Sequence, residues 1–275
     1  MTQPAFGAYA PSPWVKFLLA LSQNTVLGRG KARRAIAGML KEAHCGPLDA
    51  HLWGQPARIH VGANNNELKA LLNPGSFNRA ELGIMRTYLP RDGGVFVDVG
   101  ANVGMVSLAA RAHLKSGTVL SIEPQPAMFQ RLEFTLLQAG PCEAVDHILR
   151  QVAVGPERGV AELSVPDQPG TASLAEECAD GGETVQVELV PLEELCSEAG
   201  LTHVDVLKVD VEGFEDQAIL PLFENGPEAL WPSVVIMEHC HSGRWSRDVV
   251  AEIKARGYRE LRRDRQNVCL QRVAS

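Results

Sequence analysis

Long hydrophobic runs are missing from this 275-residue chain. The most apolar early stretch, Phe17-Leu18-Leu19-Ala20-Leu21, is too short to cross a bilayer, and neither a signal-peptide n-region nor a cleavage site flanks it. Stable membrane insertion is therefore not expected. A basic excess is missing as well: the formal charge is -7. That argues against a nucleic-acid partner held by its phosphates, which needs a basic surface. Paired cysteines are absent, because Cys45, Cys142, Cys178, Cys196, Cys240 and Cys269 are scattered with no C-x-x-C spacing. This points to reduced thiols and a cytoplasmic setting, not a disulfide framework. Repeats and low-complexity tracts are lacking too. What is present is an ordinary globular composition, 45 % hydrophobic and 21 % charged, and enough length for one large α/β domain with an N-terminal addition.

The most informative stretch runs from Val95 to Gly104, VFVDVGANVG. Apolar and β-branched residues lead to an acid, then to glycines, then to apolar positions at helical spacing. This predicts a buried strand, a tight turn and a helix start. Gly100 lets the backbone bend and lets a ligand approach closely, while Gly104 lets the helix pack against the strand. The exposed N–H groups of that helix suit an anionic group. The dinucleotide signature G-x-G-x-x-G is absent; the pattern is Asp98-x-Gly100-x-Asn102-x-Gly104. An acid before the turn repels a pyrophosphate but suits a ligand that carries an ammonium and a sulfonium. The next strand, Val119 to Ile122, ends in Glu123, about 20 residues on, where an acid can accept from both ribose hydroxyls. The pair Asp98 and Glu123 reads as a site for S-adenosylmethionine.

Around this centre the chain divides into an N-terminal accessory cap, residues 1–74, and a main domain, residues 75–275. In the cap, two helices between Trp14 and Ala43 are divided at Gly28 and Gly30, and Arg58 to Val61 alternates like a short strand. Lys31, Arg33 and Arg34 read as a solvated helix face. A helix from Asn78 to Leu89 carries Glu81, which faces the glycine turn if that helix packs beside the first strand. There Glu81 is a candidate contact for the ammonium of the donor. Pro124 and Pro126 open the next helix, with Met128, Phe129, Leu132, Leu136 and Leu137 inward and Gln130, Arg131 and Glu133 outward. Ile148 to Val154 reads as a third parallel strand. Two antiparallel runs, Gly159 to Val165 and Thr184 to Val190, flank a Gly-rich loop, Pro166 to Gly182, expected at the mouth of the site.

The second informative stretch is Val204 to Glu215, VDVLKVDVEGFE. A buried strand ends in Lys208, Asp210 and Glu212, whose alternation puts them on one side. Ligands bind beyond the carboxyl ends of parallel strands, so these residues belong beside the first turn. Ser233 to Glu238 is a further strand, followed at once by His239, Cys240 and His241. A metal site is not expected here, because side chains so close in sequence are not expected to turn toward one ion and no second ligand pair is present. His239 and His241 are instead candidate proton acceptors. A closing β-hairpin is expected from Tyr258 to Gln271.

Three blocks, Val97 to Gly104, Ile122-Glu123-Pro124 and Leu207 to Glu215, resemble those of the FkbM-family S-adenosylmethionine-dependent methyltransferases, with weaker matches at Glu238-His239 and at Thr171-Ala172-Ser173-Leu174. The resemblance covers residue 75 to the C-terminus. It implies a Rossmann-like, doubly wound α/β fold with a mostly parallel sheet, to which the residue pattern adds a C-terminal antiparallel hairpin and an N-terminal helical and β cap. It also implies donor contacts at Asp98, Gly100, Asn102, Gly104, Glu123 and Pro124, and active-site roles for Lys208, Asp210 and Glu212. The activity implied is O-methylation of a hydroxyl on a small molecule such as a sugar or secondary metabolite. Asp210, then His239, then His241 is the order of candidate bases. Two alternatives stand beside it: a nicotinamide-dependent oxidoreductase, and a partner-binding protein with a vestigial donor site. Homo-oligomerisation is left open by the sequence.

Overall fold

The computed structural model describes residues 3–23, 25–44, 46–63, 65–140, 144–165 and 183–273. Helices α1 (Pro13–Ser22) and α2 (Gly30–Ala43) open the chain. Ser12 caps α1, its hydroxyl accepting from the Val15 N–H. A hairpin of β1 (Gly46–Leu52) and β2 (Gln55–Val61) follows, then α3 (Asn65–Leu72). The sequence signals β2 but neither β1 nor α3. In β1, Asp49 and His51 interrupt the apolar pattern. Asp49 is nevertheless buried, because it lies opposite Arg58 in the hairpin register and pairs with it at 2.7 Å.

The main domain begins with α4 (Arg79–Tyr88), β3 (Gly94–Val99), α5 (Met105–His113), β4 (Gly117–Ile122), α6 (Pro126–Glu133) and β5 (Val145–Arg150). A three-stranded sheet comes next, β6 (Ala153–Val154), β7 (Gly159–Val165) and β8 (Glu183–Val190). The chain finishes with α7 (Leu192–Glu198), β9 (Val206–Val209), α8 (Glu215–Asn225), β10 (Val234–Glu238), α9 (Val249–Ala255), β11 (Tyr258–Arg263) and β12 (Asn267–Arg272). The predicted third strand, Ile148 to Val154, is therefore shifted and divided: β5 runs from Val145 to Arg150, and Ala153–Val154 turns away to pair with β8. The loop from 166 to 182, with the Thr171 to Leu174 block, lies outside the described residues.

The central sheet has the order β11-β12-β10-β9-β3-β4-β5. β10, β9, β3, β4 and β5 are parallel, and β12 and β11 close one edge antiparallel. The fold is thus α/β and Rossmann-like, with the expected C-terminal hairpin. From β3 the chain steps outward to β4 and β5, then returns to β9 on the other side, so β3 and β9 flank a topological switch. Alternate residues of β3 serve opposite faces. Phe96 belongs to one apolar cluster with Leu82, Met85 and Leu108; Val97 and Val99 belong to another with Leu195, Ile219 and Leu222. The cap shares the first of these clusters through Leu40, Leu48, Ile59 and Leu71.

The α6 helix departs from its predicted faces. Arg131 is buried, not outward, and pairs with the fully buried Glu67 of α3; Leu137, just beyond, is exposed. The helical period places Arg131 beside Met128 and Leu132 toward the cap, where Glu67 supplies its counter-charge.

Two glycines set the central turn. Gly100 has φ +77°, and a Cβ there would lie 1.9 Å from the Asp210 carbonyl oxygen. Gly104 has φ +84°, and its Cβ would lie 2.6 Å from Leu132 Cδ1. The expected strand contact at Gly104 is thus corrected: the close neighbour is α6.

Removing one partner of the buried Glu67–Arg131 pair by Glu67→Ala is expected to cost about 3–5 kcal/mol in urea unfolding, because it strands a buried guanidinium. A joint Glu67→Leu, Arg131→Met variant is expected to recover most of that loss. Gly100→Ala is expected to cost more than the ~1–2 kcal/mol of a left-handed alanine alone. Gly243→Ala, where no heavy atom lies within 4 Å of the added Cβ, is expected to change unfolding by less than about 0.5 kcal/mol.

Candidate active site

A cleft opens at the carboxyl ends of β3 and β4. One wall is apolar, built from Ile122, Pro124, Val152, Val154 and Leu163; the other carries Glu123, Asp210 and Glu212. A smaller lobe adjoins it across the Gly100–Asn102 turn and reaches Asn78 and Lys208. Asn66 of the cap lines both lobes. Nothing in the sequence around Asn66 marks it as a site residue; only the docking of α3 brings it there.

Backbone bonds hold the turn rigidly. Gly100 N and Ala101 N both donate to the Ile122 carbonyl at 3.0 Å, and Asp210 N donates to the Val99 carbonyl at 3.0 Å. The Glu123 carboxylate is locked in the same way. One oxygen accepts from Asn102 N at 2.8 Å and the other from Gln125 N at 2.9 Å. Burial pushes the Glu123 carboxyl up to about 7, against the pull of those two N–H groups. Each oxygen keeps lone-pair capacity toward the cleft.

Beneath the turn lies a buried charge network. Lys208 is 5 % exposed and sits between Asp210 (3.0 Å) and Asp98 (3.8 Å). Burial alone would lower its pKa, but the carboxylates of Asp210 and Asp98 hold it above the usual lysine value. Asp98 is fully buried and accepts from Ser107 Oγ at 2.6 Å; burial raises its carboxyl. Asp98 does not line either lobe, so its reach is to Lys208. Pro124, Gly100 and Asn102 do line the cleft, whereas Gly104 sits one turn behind. Glu81 lies close enough for the Lys208 charge to act on it, and accepts from Asn78 Nδ2 (3.0 Å) and Asn267 Nδ2 (2.7 Å). It stands behind Asn78, which is the residue that lines the lobe.

The segment after β9 is shaped by an acid in the family-like motif. Glu215, almost wholly buried, accepts from the N–H groups of Val211 and Gly213 at 3.1 Å and from Trp245 Nε1 at 2.6 Å. This pins Glu212 in a left-handed conformation, φ +55°, which a non-glycine residue adopts only when its surroundings hold it there. Glu212 pairs with His241 Nε2 at 3.2 Å, and burial raises its carboxyl. His239 is not brought to the cleft. Its Nε2 donates to the Asp264 carbonyl at 2.9 Å, beside the β11–β12 turn.

His239, Cys240 and His241 do not converge as a set, since His239 turns to the Asp264 carbonyl. Glu238, Cys240 and His241 have ligand-type atoms within 4.8 Å of one another, and so do Asp210, Glu212 and Glu238. The chain turns sharply after β10, at His241 to Arg244, and so folds Cys240 and His241 back over the strand end. Burial pushes the Glu238 carboxyl up to about 7, with the Asp210 charge adding to it.

The Methyltransferase FkbM domain family matches residues 98–260, more than half of the chain. The 31-O-demethyl-FK506 methyltransferase FkbM of Streptomyces tacrolimicus is 28% identical over 200 residues, covering 61% of this chain and 74% of that one. Methyltransferase sdnD of Sordaria araneosa is 26% identical over 200 residues, covering 62% and 74%. Among solved structures, a methyltransferase from Geobacter sulfurreducens aligns over 71% of this chain and 78% of its own, at 13% identity and a TM-score of 0.43. The O-methyltransferase TomG from Streptomyces achromogenes, in complex with SAM, aligns over 73% and 81%, at 13% identity and a TM-score of 0.42. No described helix is long and apolar enough to cross a membrane. The chain belongs to the FkbM family of methyltransferases.

Proposed function

We propose that this protein transfers a methyl group from S-adenosylmethionine to a hydroxyl oxygen of a small molecule. The observation that carries the donor is Glu123. Its two oxygens are aimed by the Asn102 and Gln125 N–H groups at the rim of an apolar wall. A carboxylate held this way accepts from two vicinal hydroxyls, and the wall of Ile122, Pro124, Val152 and Leu163 accepts a flat heterocycle. The smaller lobe, with Asn78 and the Lys208–Asp210 pair, suits the polar amino-acid end. Oxygen as the accepting atom is supported by the relative whose name specifies a 31-O-demethyl acceptor. Residues 1–74 act as a cap that helps to select the acceptor, through Asn66.

S-adenosylmethionine supplies a methyl group already activated by its sulfonium. The chain's own task is to fix the two reacting atoms in line, which is worth roughly 7–11 kcal/mol, and to take the hydroxyl proton. Lys208 holds Asp210 at the cleft wall, so Asp210 orients the acceptor hydroxyl. Glu212 accepts from His241 Nε2 and so leaves Nδ1 to receive the proton. His239, engaged at the hairpin, has no part in the step.

Calorimetry with S-adenosylhomocysteine is expected to show one site per chain, and none for NAD; uptake of NAD instead would overturn the donor assignment. Because Glu123 has a pKa raised to about 7, its charged form is scarce below that pH. Affinity is expected to fall as pH drops below 7, by up to roughly tenfold per unit, and Glu123→Gln is expected to bind more weakly without that slope. The same raised pKa means that this group's contribution to folding stability declines as pH rises from 4.5 toward 7.

Turnover with labelled donor and a panel of hydroxylated acceptors tests the proton route. His241→Asn is expected to lose about 10²–10⁴-fold in kcat while binding S-adenosylhomocysteine within about threefold of wild type. Full turnover in that variant would remove His241 from the mechanism.

A further inference from the structure

We propose that α1, α2 and the turn between them form a docking face for an anionic lipid bilayer. Charge is divided unevenly along the chain. Residues 1–74 carry eight Lys and Arg against three Asp and Glu, whereas residues 75–275 carry 18 against 30. Two of the three cap acids are already spent inside the fold: Asp49 is buried on Arg58, and Glu67 is buried on Arg131. Glu42 is then the one exposed acid among the described residues of the cap, while Lys16, Arg29, Lys31 and Arg34 are all exposed.

The same segment is also unusually apolar on its surface. Of the eight large apolar side chains exposed among the described residues, five belong to it: Trp14, Phe17, Val26, Leu27 and Met39. Val26 is 80 % exposed in the turn between the helices, and Trp14 and Phe17 are 52 % and 51 % exposed one helical turn apart. The two rings stack on each other, with centroids 5.4 Å apart. Helix α1 is therefore apolar on two sides. Val15, Leu18 and Leu19 are buried in the core, while Trp14, Phe17 and Ala20 face out. Single exposed apolar residues are ordinary, but five in one short basic segment mark an interaction surface.

The charge selects the partner. A second copy seated face to face would set these cations against their own equivalents, whereas anionic headgroups neutralise them. Aromatic rings suit the headgroup boundary, and Val26 and Leu27 suit the acyl region just beneath it. Lysine and arginine keep their charged ends at headgroup level, so Lys31 and Arg34 remain solvated as the sequence suggests. The contact is shallow, since α1 has 10 residues and no described helix is long and apolar enough to cross a membrane. The acidic main domain is repelled by the same surface, which orients the protein cap-first. None of this depends on the chemistry proposed for the cleft.

The probe is a vesicle of phosphatidylcholine with roughly one-third phosphatidylglycerol, set against pure phosphatidylcholine, with co-sedimentation of the full-length protein as the readout. Uptake on the anionic vesicles is expected to exceed that on neutral ones at least tenfold at ~0.05 M salt, and to fall at least tenfold by ~0.5 M. Tryptophan emission is expected to shift to the blue on binding, and Trp14→Phe to lose most of that shift. Arg29→Glu with Arg34→Glu, and separately Phe17→Ser with Val26→Ser, are each expected to weaken uptake at least tenfold. Val160→Ser, at an exposed apolar site in β7 of the main domain, is expected to leave it within threefold. Urea unfolding checks that each variant is folded; if one double variant is not, the other decides. Absence of saturable uptake overturns the proposal, as do equal uptake on neutral vesicles, uptake unchanged in a folded double variant, or an equal loss in Val160→Ser. A dimer dissolved by the Phe17→Ser, Val26→Ser changes, without vesicle uptake, assigns the face to a second copy and overturns it as well.

Discussion

The buried ammonium of Lys208 is the interaction on which the site depends. It joins Asp98 at the end of β3 to Asp210 beyond the end of β9, across the point where the chain order of the sheet reverses. Strands that are not neighbours in sequence need something to hold their ends in register where the backbone ladder stops. Asp98 and Lys208 face each other in the last part of that ladder, and just beyond it the Asp210 N–H donates to the Val99 carbonyl, so the charge triad and a backbone bond together form the joint. It brings the Asp210 carbonyl so close to Gly100 that only a glycine fits. The shape of the turn, and so of both lobes, follows from that contact.

Around this anchor, negative charge is gathered at one end of the sheet. Glu123, Asp210, Glu212 and Glu238 all stand where parallel strands finish, and burial raises the carboxyls of Glu123, Glu212 and Glu238 above the ordinary range. Desolvated carboxylates destabilise a fold by themselves. Their assembly beside a cleft is the arrangement expected when stability is given up to a binding site. The positions are made stiff by neutral backbone donors: N–H groups hold the Glu123 carboxylate, and the Glu215 carboxylate in turn gathers N–H groups of the Glu212 loop. Rigid carboxylates keep their geometry when a cationic or hydroxylic ligand arrives.

Much of this is legible in the residues. β3 and β4 are nearly unbroken apolar runs, and parallel strands buried on both faces must be so. The glycines and Glu123 lie at fixed offsets from those strands, so local spacing is enough to place them. What is not legible depends on contacts between distant segments. Arg131 looks like a solvated helix residue until Glu67, from another region, is packed beside it. β1 hides behind Asp49, whose burial makes sense only with Arg58 opposite. His239 and His241 are two residues apart, yet one is drawn to the hairpin turn and the other to Glu212. The turn after β10 makes that division, and it is set by tertiary bonds to Glu215 and Asp216, not by the local sequence. The convergence of Glu238 with Asp210 and Glu212 is hidden for the same reason.

The account stands on the proposed donor lying along the ends of β3 and β4. A crystal structure with S-adenosylhomocysteine tests this most directly. The account predicts the ribose hydroxyls on the Glu123 carboxylate, the purine against Ile122 and Val152, and the sulfur beside Gly100 and Asp210. Density for the ligand at another surface, or a ribose turned away from Glu123, would contradict it.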